Sequence, residues 1–379
     1  MSLALTEDQL MLREAVKRFT AERAPISQLR KLRDENDPTG FSREAWREMA
    51  QMGWAGVLIP EENGGAGFGL VGAGLIAEEV GRNLSATPLL STAILGATAL
   101  LRGGTQAHRQ AYLSSIAGGE LLTAAAVDEK GRHAPYCVET RASIEGGQFK
   151  LSGRKVHVLD GHAADRLIVS ARTSGETDSR EGLTLFLVDA KAGGVTIRRT
   201  LAVDSRHSAV VELRDVAVEQ ADVLGAVDKG AAVLDALLDA GRAVLAAELL
   251  GLAEEAFERT MGYLREREQF GVKIGSFQAL QHRAAHLFCE IELVRSVVLR
   301  ALQALDAQEA SAASLVSLAK AKSGEVARIA TNEAVQMHGG IGMTDEFDIG
   351  FFMKRARAAG ETFGDVYYHT DRFALLTGY

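Results

Sequence analysis

The chain has 379 residues, of which 47% are hydrophobic and 24% charged, with a formal net charge of -8. This length exceeds what one hydrophobic core usually organises, so we expect two or three domains. The negative charge, with no basic stripe to offset it, argues against a nucleic-acid surface, and no apolar run reaches the roughly 20 residues that span a bilayer.

Cysteine usage and the N-terminal segment bear on the compartment. Cys137 and Cys289 are the only cysteines, too few for a disulfide framework and without the spacing of metal ligands. The first ten residues contain Glu7 and Asp8 and lead into an amphipathic pattern, so we expect no secretory signal. Both features favour a cytoplasmic protein.

The first third of the sequence has helical periodicity. Thr6, with Gln9 three residues later, forms a capping-box pattern that predicts the start of a helix. Further helices are predicted over residues 42–52, 70–81 and 89–119, the last with a break at Gly103-Gly104.

From residue 121 the pattern changes to short β-rich runs separated by glycine turns. The runs cover residues 122–127, 139–144, 148–151, 155–159, 166–171, 183–188, 195–200 and 209–213. Closely spaced strands with tight turns predict an antiparallel sandwich or barrel-like domain.

Beyond Gly230 the helical periodicity returns. Three long helices are predicted over residues 231–269, 276–308 and 311–338, and two shorter ones start near Asp345 and Glu361. Long helices joined by short loops indicate a bundle.

These three patterns together define the predicted fold class, which is α+β and multidomain. The expected parts are an N-terminal α-helical domain over 1–120, a middle antiparallel β-barrel or sandwich domain over 121–228 and a C-terminal α-helical bundle over 229–379.

Two strings stand out for their chemistry. The stretch from Tyr263 to His282 reads YLREREQFGVKIGSFQALQH and places a cation, an amide and an aromatic ring beside two glycines. Taken alone, it is a helix hairpin with a solvated charged end. The second string, AVQMHGGIG, covers residues 334–342.

Together the two strings resemble the signature of the acyl-CoA dehydrogenase family. In that family a Tyr, an Arg four residues later, Gln-Phe-Gly and a following Phe-Gln recur. A Gln-x-x-Gly-Gly-x-Gly segment follows, in the order and at the separation seen here. The resemblance covers nearly the whole chain and is specific for the family, but it says little about acyl chain length or shape.

The resemblance implies an FAD site in a homotetramer or heterotetramer, with the ADP end of FAD held by the neighbouring subunit. At matching positions Arg267 would pair with the pyrophosphate, because a guanidinium meets phosphate oxygens with two charge-assisted hydrogen bonds. The other nucleotide contacts implied by the match are Gln269, Phe270, Gln278, Gln336, Gly339 and Gly340.

The implied reaction removes two hydrogens from adjacent carbons of an acyl-CoA thioester. A carboxylate takes the α-proton, the β-hydrogen leaves as hydride to flavin N5, and the electrons pass to an electron-transfer flavoprotein. The base needs a site with little water, because burial raises the pKa of a carboxylate toward the working pH. Arg242 falls where the family keeps an Arg near the substrate.

The catalytic base departs from the family pattern. The usual Glu, which precedes Gly-Thr, falls on Phe363, and the alternative position on the long helix is Gly241. A two-residue insertion that aligns Arg372 with a family Arg places Asp365 at the base position. Glu361, one helical turn earlier, is the second candidate. Both carboxylates could instead stabilise a helix N-terminus from its first turn.

The residues expected beside the flavin ring also differ from the family pattern. The matching positions are Val127 and His133, in a loop that reads Thr-Glu-Pro and Gly-Ser in the family, and His157 and Leu159, which replace a Trp-x-Thr. Two hydroxyls and a large ring are therefore missing, and only backbone N–H groups could still serve there. Groups offered to a neighbour's FAD are kept, whereas several offered to the chain's own FAD are replaced.

Three functional hypotheses follow. The first is an FAD-dependent acyl-CoA dehydrogenase, in its divergent form one that acts on a ring or steroid-type thioester. The second is a half-site or non-catalytic partner subunit of a heteromeric dehydrogenase, and the third is a flavin-dependent monooxygenase on the same scaffold. No metal site is predicted, since His282 and His286 are four apart on a helix but lack a third ligand.

Overall fold

A computed structural model describes residues 3–379, and the chain divides into two compact units. Unit 1 contains the chain up to Asp34 together with Leu70–Ala86 and Arg242–Tyr379. Unit 2 contains Glu35–Gly69 and Thr87–Gly241.

The helices follow the predicted order. They are α1 (Glu7–Arg23), α2 (Ile26–Asp34), α3 (Arg43–Gln51), α4 (Gly69–Arg82), a π-helix (Leu89–Gly96), α5 (Ala97–Gly103), α6 (Gln106–Ala117), α7 (Ala231–Glu266), α8 (Gln278–Asp306), α9 (Ala312–His338), α10 (Ile349–Glu361) and α11 (Val366–Thr377).

Local signals explain where several helices begin and end. The Thr6 hydroxyl accepts from the Gln9 backbone N–H at 3.3 Å, and the Gln9 side chain accepts from the Thr6 N–H at 3.0 Å, which confirms the capping box. α5 ends at the predicted Gly103-Gly104 break. The sequence reasoning missed α2, a nine-residue helix whose only buried side chains are Ile26 and Leu29, because one turn of apolar spacing is too little to show periodicity.

The strands all lie in unit 2, apart from a short hairpin in unit 1. They are β1 (Thr123–Ala126), β2 (Arg141–Glu145), β3 (Gln148–Leu159), β4 (Arg166–Arg172), β5 (Leu183–Asp189), β6 (Val195–Leu201), β7 (His207–Val218) and β8 (Val223–Leu224), with the hairpin strands β9 (Glu268–Gln269) and β10 (Val272–Lys273) in unit 1.

Eight of these strands form one sheet in the order β6-β7-β3-β2-β4-β5-β8, with β1 paired to β4. Most pairings are antiparallel, as predicted, but β1 runs parallel to β4, and β2 joins β4 in parallel through Arg141 and Arg172. The runs predicted over 148–151 and 155–159 are one strand, β3, with shifts in its register against β7. A bulge inserts a residue and interrupts the alternation that marks a strand, which explains why two strands were predicted.

Unit 1 is held together by a close contact between α4 and α7. A Cβ placed on Gly251 would lie 1.9 Å from the backbone oxygen of Glu78, and one on Gly81 would lie 2.1 Å from that of Glu248. Gly251 lies in the middle of α7, which runs without interruption from Ala231 to Glu266. The glycine therefore serves helix packing, since no larger side chain fits between the two backbones.

Buried charges accompany this contact. Arg82 on α4 pairs with Glu254 at 3.0 Å, and also with Glu255 and Glu258 on α7. Arg295 on α8 reaches the other oxygen of Glu254. Burial, followed by the nearby Glu78 carboxylate, raises the pKa of Glu254 to about 7. The arginines therefore offset only part of the cost of burying this charge.

The raised pKa of Glu254 predicts a pH-dependent stability. The folded-state pKa of about 7 lies above the reference value of 4.5, so the unfolded chain releases this proton first. Stability should fall as pH rises from about 4.5 to 7, by on the order of 3 kcal/mol from this group. The Glu254→Gln variant should not show this decrease in stability. The measurement is the free energy of urea unfolding at pH 5, 6, 7 and 8.

Glu258→Gln is the control, because Glu258 is an exposed partner of the same Arg82. This variant should show the same decrease in stability as the wild type. Parallel curves for all three proteins would contradict the assignment.

Candidate functional site

The hairpin that follows α7 presents the first predicted nucleotide contacts. Strands β9 and β10 pair antiparallel around a turn in which Phe270 has a φ of +57°. The Phe270 ring is 91% exposed and meets Phe277 edge to face at a centroid distance of 6.2 Å. Gln269 donates to the Glu268 carbonyl at 2.7 Å, so its amide is used locally. An aromatic ring left this exposed is unusual for an isolated chain.

The ends of three helices of unit 1 gather the remaining nucleotide contacts. Helices α8 and α9 run antiparallel, as shown by the ion pairs Arg283–Glu333 at 2.5 Å and Lys322–Glu290 at 2.7 Å. Gln278, before Arg283, and Gln336, after Glu333, therefore lie toward the same end of the helix pair. At the end of α7, Tyr263 stacks on His338 with centroids 4.4 Å apart, which places Arg267 on the side where the Gly339-Gly340 turn begins.

The polar side chains at this end of the helix pair are exposed and are not used in hydrogen bonds among the described residues. Within residues 3–379, the side chains of Arg267, Gln278 and Gln336 make no hydrogen bond or ion pair. No atom lies within 4 Å of a Cβ built on Gly339 or Gly340, so their backbone is open to a ligand. A free guanidinium, free amides and open glycine backbone fit the pyrophosphate and ribose of a dinucleotide. These residues therefore fit the ADP portion of FAD.

The predicted flavin contacts of unit 2 behave differently. The imidazole of His133 is 3% exposed and lies 2.9 Å from the Asp128 carboxylate, so it is used inside its own loop. Val127 is buried, whereas His157 is exposed with a φ of +52°. Leu159 pairs with a residue of β7. The Val156 N–H donates to the Asp128 carbonyl at 2.8 Å and joins the loop to β3, so the two parts lie together but present few side-chain donors.

A buried ion pair fixes that loop. Lys155, fully buried, donates to Glu129 at 2.7 Å and to Ser170 at 2.9 Å. Glu129 in turn accepts the backbone N–H groups of Glu139 at 2.6 Å and Thr140 at 3.0 Å. These hydrogen bonds and the Lys155 charge hold the pKa of Glu129 below its usual value, although burial opposes them.

The candidate catalytic carboxylates lie at the two ends of the turn between α10 and α11. Asp365 is the N-cap of α11, and its Oδ1 accepts the Tyr368 N–H at 2.7 Å. Glu361 is the last residue of α10, exposed and 3.7 Å from Arg357. The expected helix start near Glu361 is wrong, because α11 begins at Val366. The helix N-terminus alternative is therefore met by Asp365 and not by Glu361.

The turn between Glu361 and Asp365 has two consecutive residues with left-handed backbone angles. Phe363, which an ungapped match aligns with the usual Glu, is buried and has a φ of +58°, and Gly364 has a φ of +113°. A Cβ on Gly364 would lie 2.4 Å from the Tyr368 ring and 2.9 Å from His369 Nε2. Left-handed backbone at a non-glycine residue costs energy and persists only where the surroundings impose it.

Three buried side chains hold the backbone of this turn in its left-handed conformation. Arg242 donates to the Phe363 carbonyl at 3.1 Å and to the Tyr368 hydroxyl at 3.0 Å. Lys320 on α9 donates to the carbonyls of Gly360 at 2.8 Å and Gly364 at 3.1 Å. His369 Nε2 lies 3.1 Å from the Phe363 carbonyl. Arg242, predicted near the substrate, is 1% exposed and is therefore committed to this turn within unit 1.

Charge is costly inside this cluster. Burial, followed by the Arg242 charge, lowers the pKa of Lys320 to about 7. Burial, followed by Lys320, lowers the pKa of His369 well below its usual value, so its imidazole stays neutral. Sequence reasoning missed both residues. Lys320 did leave a signal, since it lies on the apolar face of α9 between Val316 and Ala327.

Two other expectations concern metals and membranes. Among residues 3–379 no three His, Cys, Asp or Glu side chains come together as metal ligands, and His282 and His286 are exposed on α8. In the same part of the chain, none of the helices combines the length and the apolar character needed to cross a bilayer.

Comparison with known proteins decides the family. The sequence matches the acyl-CoA dehydrogenase N-terminal domain over residues 6–120, the middle domain over 124–216 and the C-terminal domain over 228–371. The chain belongs to the acyl-CoA dehydrogenase family. The family resemblance and the acyl-CoA dehydrogenase fold, with helical, β-sheet and helical domains in that order, are thereby confirmed. Domain limits at residues 120 and 228 stay a prediction.

Members of the acyl-CoA dehydrogenase family are FAD-dependent oxidoreductases, and many are tetramers. The chain is 32% identical over 365 residues to the probable acyl-CoA dehydrogenase YngJ of Bacillus subtilis (strain 168), covering 94% of each. It is similar to a solved Tcur3481-Tcur3483 steroid ACAD, with 30% identity, a TM-score of 0.88 and 98% of each chain covered. It is also similar to the ChsE4-ChsE5 complex from Mycobacterium tuberculosis, with 26% identity, a TM-score of 0.90 and 100% of each chain covered.

Proposed function

We propose that this acyl-CoA dehydrogenase chain is a subunit of a heteromeric enzyme that introduces an α,β double bond into an acyl-CoA thioester. In this proposal it binds the nucleotide part of FAD, and another chain supplies the catalytic base. The observation that carries the proposal is the turn between α10 and α11, where Phe363, which an ungapped match aligns with the usual Glu, is buried.

Neither neighbouring carboxylate is well placed to replace that Glu. An α-proton is removed efficiently by a carboxylate in a water-poor site, because desolvation favours its protonation. Glu361 is exposed at the end of a helix. Asp365 already caps α11 through Oδ1. The buried cations of this region, Arg242 and Lys320, are directed at backbone carbonyls of the turn rather than at an incoming substrate.

The division of the flavin contacts supports a shared site. Arg267, Gln278 and Gln336 keep free polar groups for a nucleotide, whereas His133 is paired with Asp128 inside its own loop. A chain that offers one half of a cofactor site and lacks the other is suited to an assembly with a complementary chain. Two of the similar solved structures are named for pairs of gene products, one of them a steroid ACAD.

Within the assembly each part of this chain has a separate role. Arg267 would hold the pyrophosphate with charge-assisted hydrogen bonds, and Phe270 would cover the adenosine. FAD, when bound, supplies the acceptor for the β-hydride. An electron-transfer flavoprotein would then take the electrons, as in the family. The steroid ACAD among the similar structures favours a bulky ring-containing thioester as substrate.

A self-sufficient dehydrogenase that uses Asp365 as base is the second candidate. One observation favours it: the Asp365 Oδ2 oxygen forms no hydrogen bond with any residue from 3 to 379, so it could reach a substrate. In this case the assembly would be a homotetramer with one FAD per chain.

The visible absorption spectrum of the purified chain tests the proposal. The chain alone is expected to carry little flavin and to show no bleaching with short, branched or steroid-like acyl-CoA thioesters. A flavin band near one equivalent per chain that bleaches with one of these thioesters would overturn it and establish the self-sufficient dehydrogenase.

Asp365 variants distinguish a base from a cap. Asparagine also caps helices, so Asp365→Asn should leave stability nearly unchanged, while Asp365→Ala should cost about 1 kcal/mol. If Asp365 is only a cap, the reduction rate of the assembled enzyme should be the same for wild type and Asp365→Asn. A loss of roughly 100-fold or more with asparagine would identify the base instead.

A further inference from the structure

Unit 1 contains a cavity that plays no part in the flavin site or in the turn before α11. It has a volume of about 410 Å³ and is lined by α1, α4, α7, α8 and the residues that precede α1. Most of its wall is apolar, with Leu10, Leu75, Leu250 and Leu302 as typical members. This volume and this lining are typical of pockets that bind small molecules.

Three charged side chains also line the cavity, and they differ in how well they are paired. Arg295 is engaged by Glu254 at 2.5 Å and by Glu292 at 3.4 Å. Glu78 is 9% exposed, and among residues 3–379 its carboxylate has one hydrogen-bond contact, with Arg295 at 3.5 Å. Arg13 makes no hydrogen bond or ion pair with the described part of the chain, residues 3–379. A guanidinium with no hydrogen-bond acceptor among the described residues, beside a buried carboxyl with a single long contact, is an incomplete polar site.

We propose that this cavity binds a small hydrophobic carboxylic acid, with its hydrocarbon part among the leucines and its carboxylate between Arg13 and Glu78. The carboxylate would accept charge-assisted hydrogen bonds from Arg13 and one from the protonated carboxyl of Glu78. An ammonium head is disfavoured by Arg13 and Arg295. A purely apolar ligand is disfavoured because it would leave Arg13 unpaired in an apolar wall.

The environment of Glu78 supports the role of a donor. Burial raises its pKa, Arg295 opposes this, and Glu79 adds to it. The charged groups that face Glu78 are Arg13 from α1, Glu79 and Arg82 from its own helix, Glu254 from α7 and Arg295 from α8. A carboxyl that is readily protonated can donate to an anion, so binding of the acid takes up a proton and should strengthen as pH falls from 8 to 6.

Isothermal titration calorimetry with three ligands that share one tail tests the proposal. Decanoate, decanol and decylammonium are titrated into the full chain at pH 6 and pH 8. Decanoate should bind about tenfold more tightly than the other two, as expected for a charge-assisted hydrogen bond. It should also bind more tightly at pH 6 than at pH 8. Equal affinities for the three ligands would overturn the assignment of the head group.

Three variants locate the binding. Arg13→Gln should weaken decanoate about tenfold and leave decanol unchanged. Arg18→Gln, on the exposed side of the same helix, is the matched control and should change nothing. Ser296→Phe adds bulk at an exposed part of the cavity wall and should abolish binding with little effect on stability. Undiminished decanoate binding in Arg13→Gln or Ser296→Phe would place the ligand elsewhere and overturn the proposal.

Discussion

Replacing Arg267 with glutamine is expected to weaken FAD binding to the assembled enzyme by roughly 30-fold. The loss of a charge-assisted, bidentate contact with phosphate is worth about 2 kcal/mol. Its side chain is exposed and makes no hydrogen bond or ion pair with the described residues, so the variant should fold normally. Flavin absorbance after gel filtration, followed by equilibrium dialysis against FAD, measures the change.

Arg265→Gln is the matched control for this experiment. Arg265 lies two residues earlier in the last turn of α7, is also exposed, and is not one of the residues matched to the family pattern. It should keep the flavin content of the wild type. If both variants lose flavin equally, FAD binding depends on the positive charge of this region and not on a specific contact from Arg267. If neither does, Arg267 does not contact the pyrophosphate.

Much of the fold could be predicted from the sequence because its signals are local. The Thr6 capping box, the Gly103-Gly104 break and the three long helices depend on neighbours within a turn or two. The parallel pairing of β1 with β4 could not be predicted in this way. It joins strands separated by some forty residues, and parallel pairing leaves no hairpin signal in the sequence.

The residues of the candidate site fall into the same two groups, those identified by local sequence and those that only the folded chain brings together. Arg267, Gln278 and Gln336 could be named because a contiguous string identifies them, and the structure leaves them exposed and unpaired. The roles of Lys320 and His369 depend on contacts with a turn some forty and six residues away, which only the folded chain brings within 3.1 Å. Arg242 is named by the family match alone, and its placement near the substrate stays a prediction. The structure adds that its buried guanidinium donates to the Phe363 carbonyl.

The turn before α11 should be the least tolerant glycine position near the candidate base. Gly364→Ala is expected to destabilise the chain by on the order of 3 kcal/mol, because alanine resists a left-handed backbone and its Cβ would meet a ring and an imidazole. The relevant values are a φ of +113° and distances of 2.4 Å to Tyr368 and 2.9 Å to His369. The free energy of unfolding in guanidinium chloride measures the loss.

Gly360→Ala provides the comparison, because Gly360 lies four residues earlier, within α10, and no atom is within 4 Å of its added Cβ. It should be neutral or stabilising by up to about 1 kcal/mol, since alanine favours a helix. Both glycine carbonyls accept from Lys320, so that hydrogen bond is common to the two variants. A large difference between them therefore reports the backbone geometry of the turn. If Gly364→Ala were as stable as Gly360→Ala, the turn could relax. The buried position of Phe363 would then no longer argue against a base supplied by this chain.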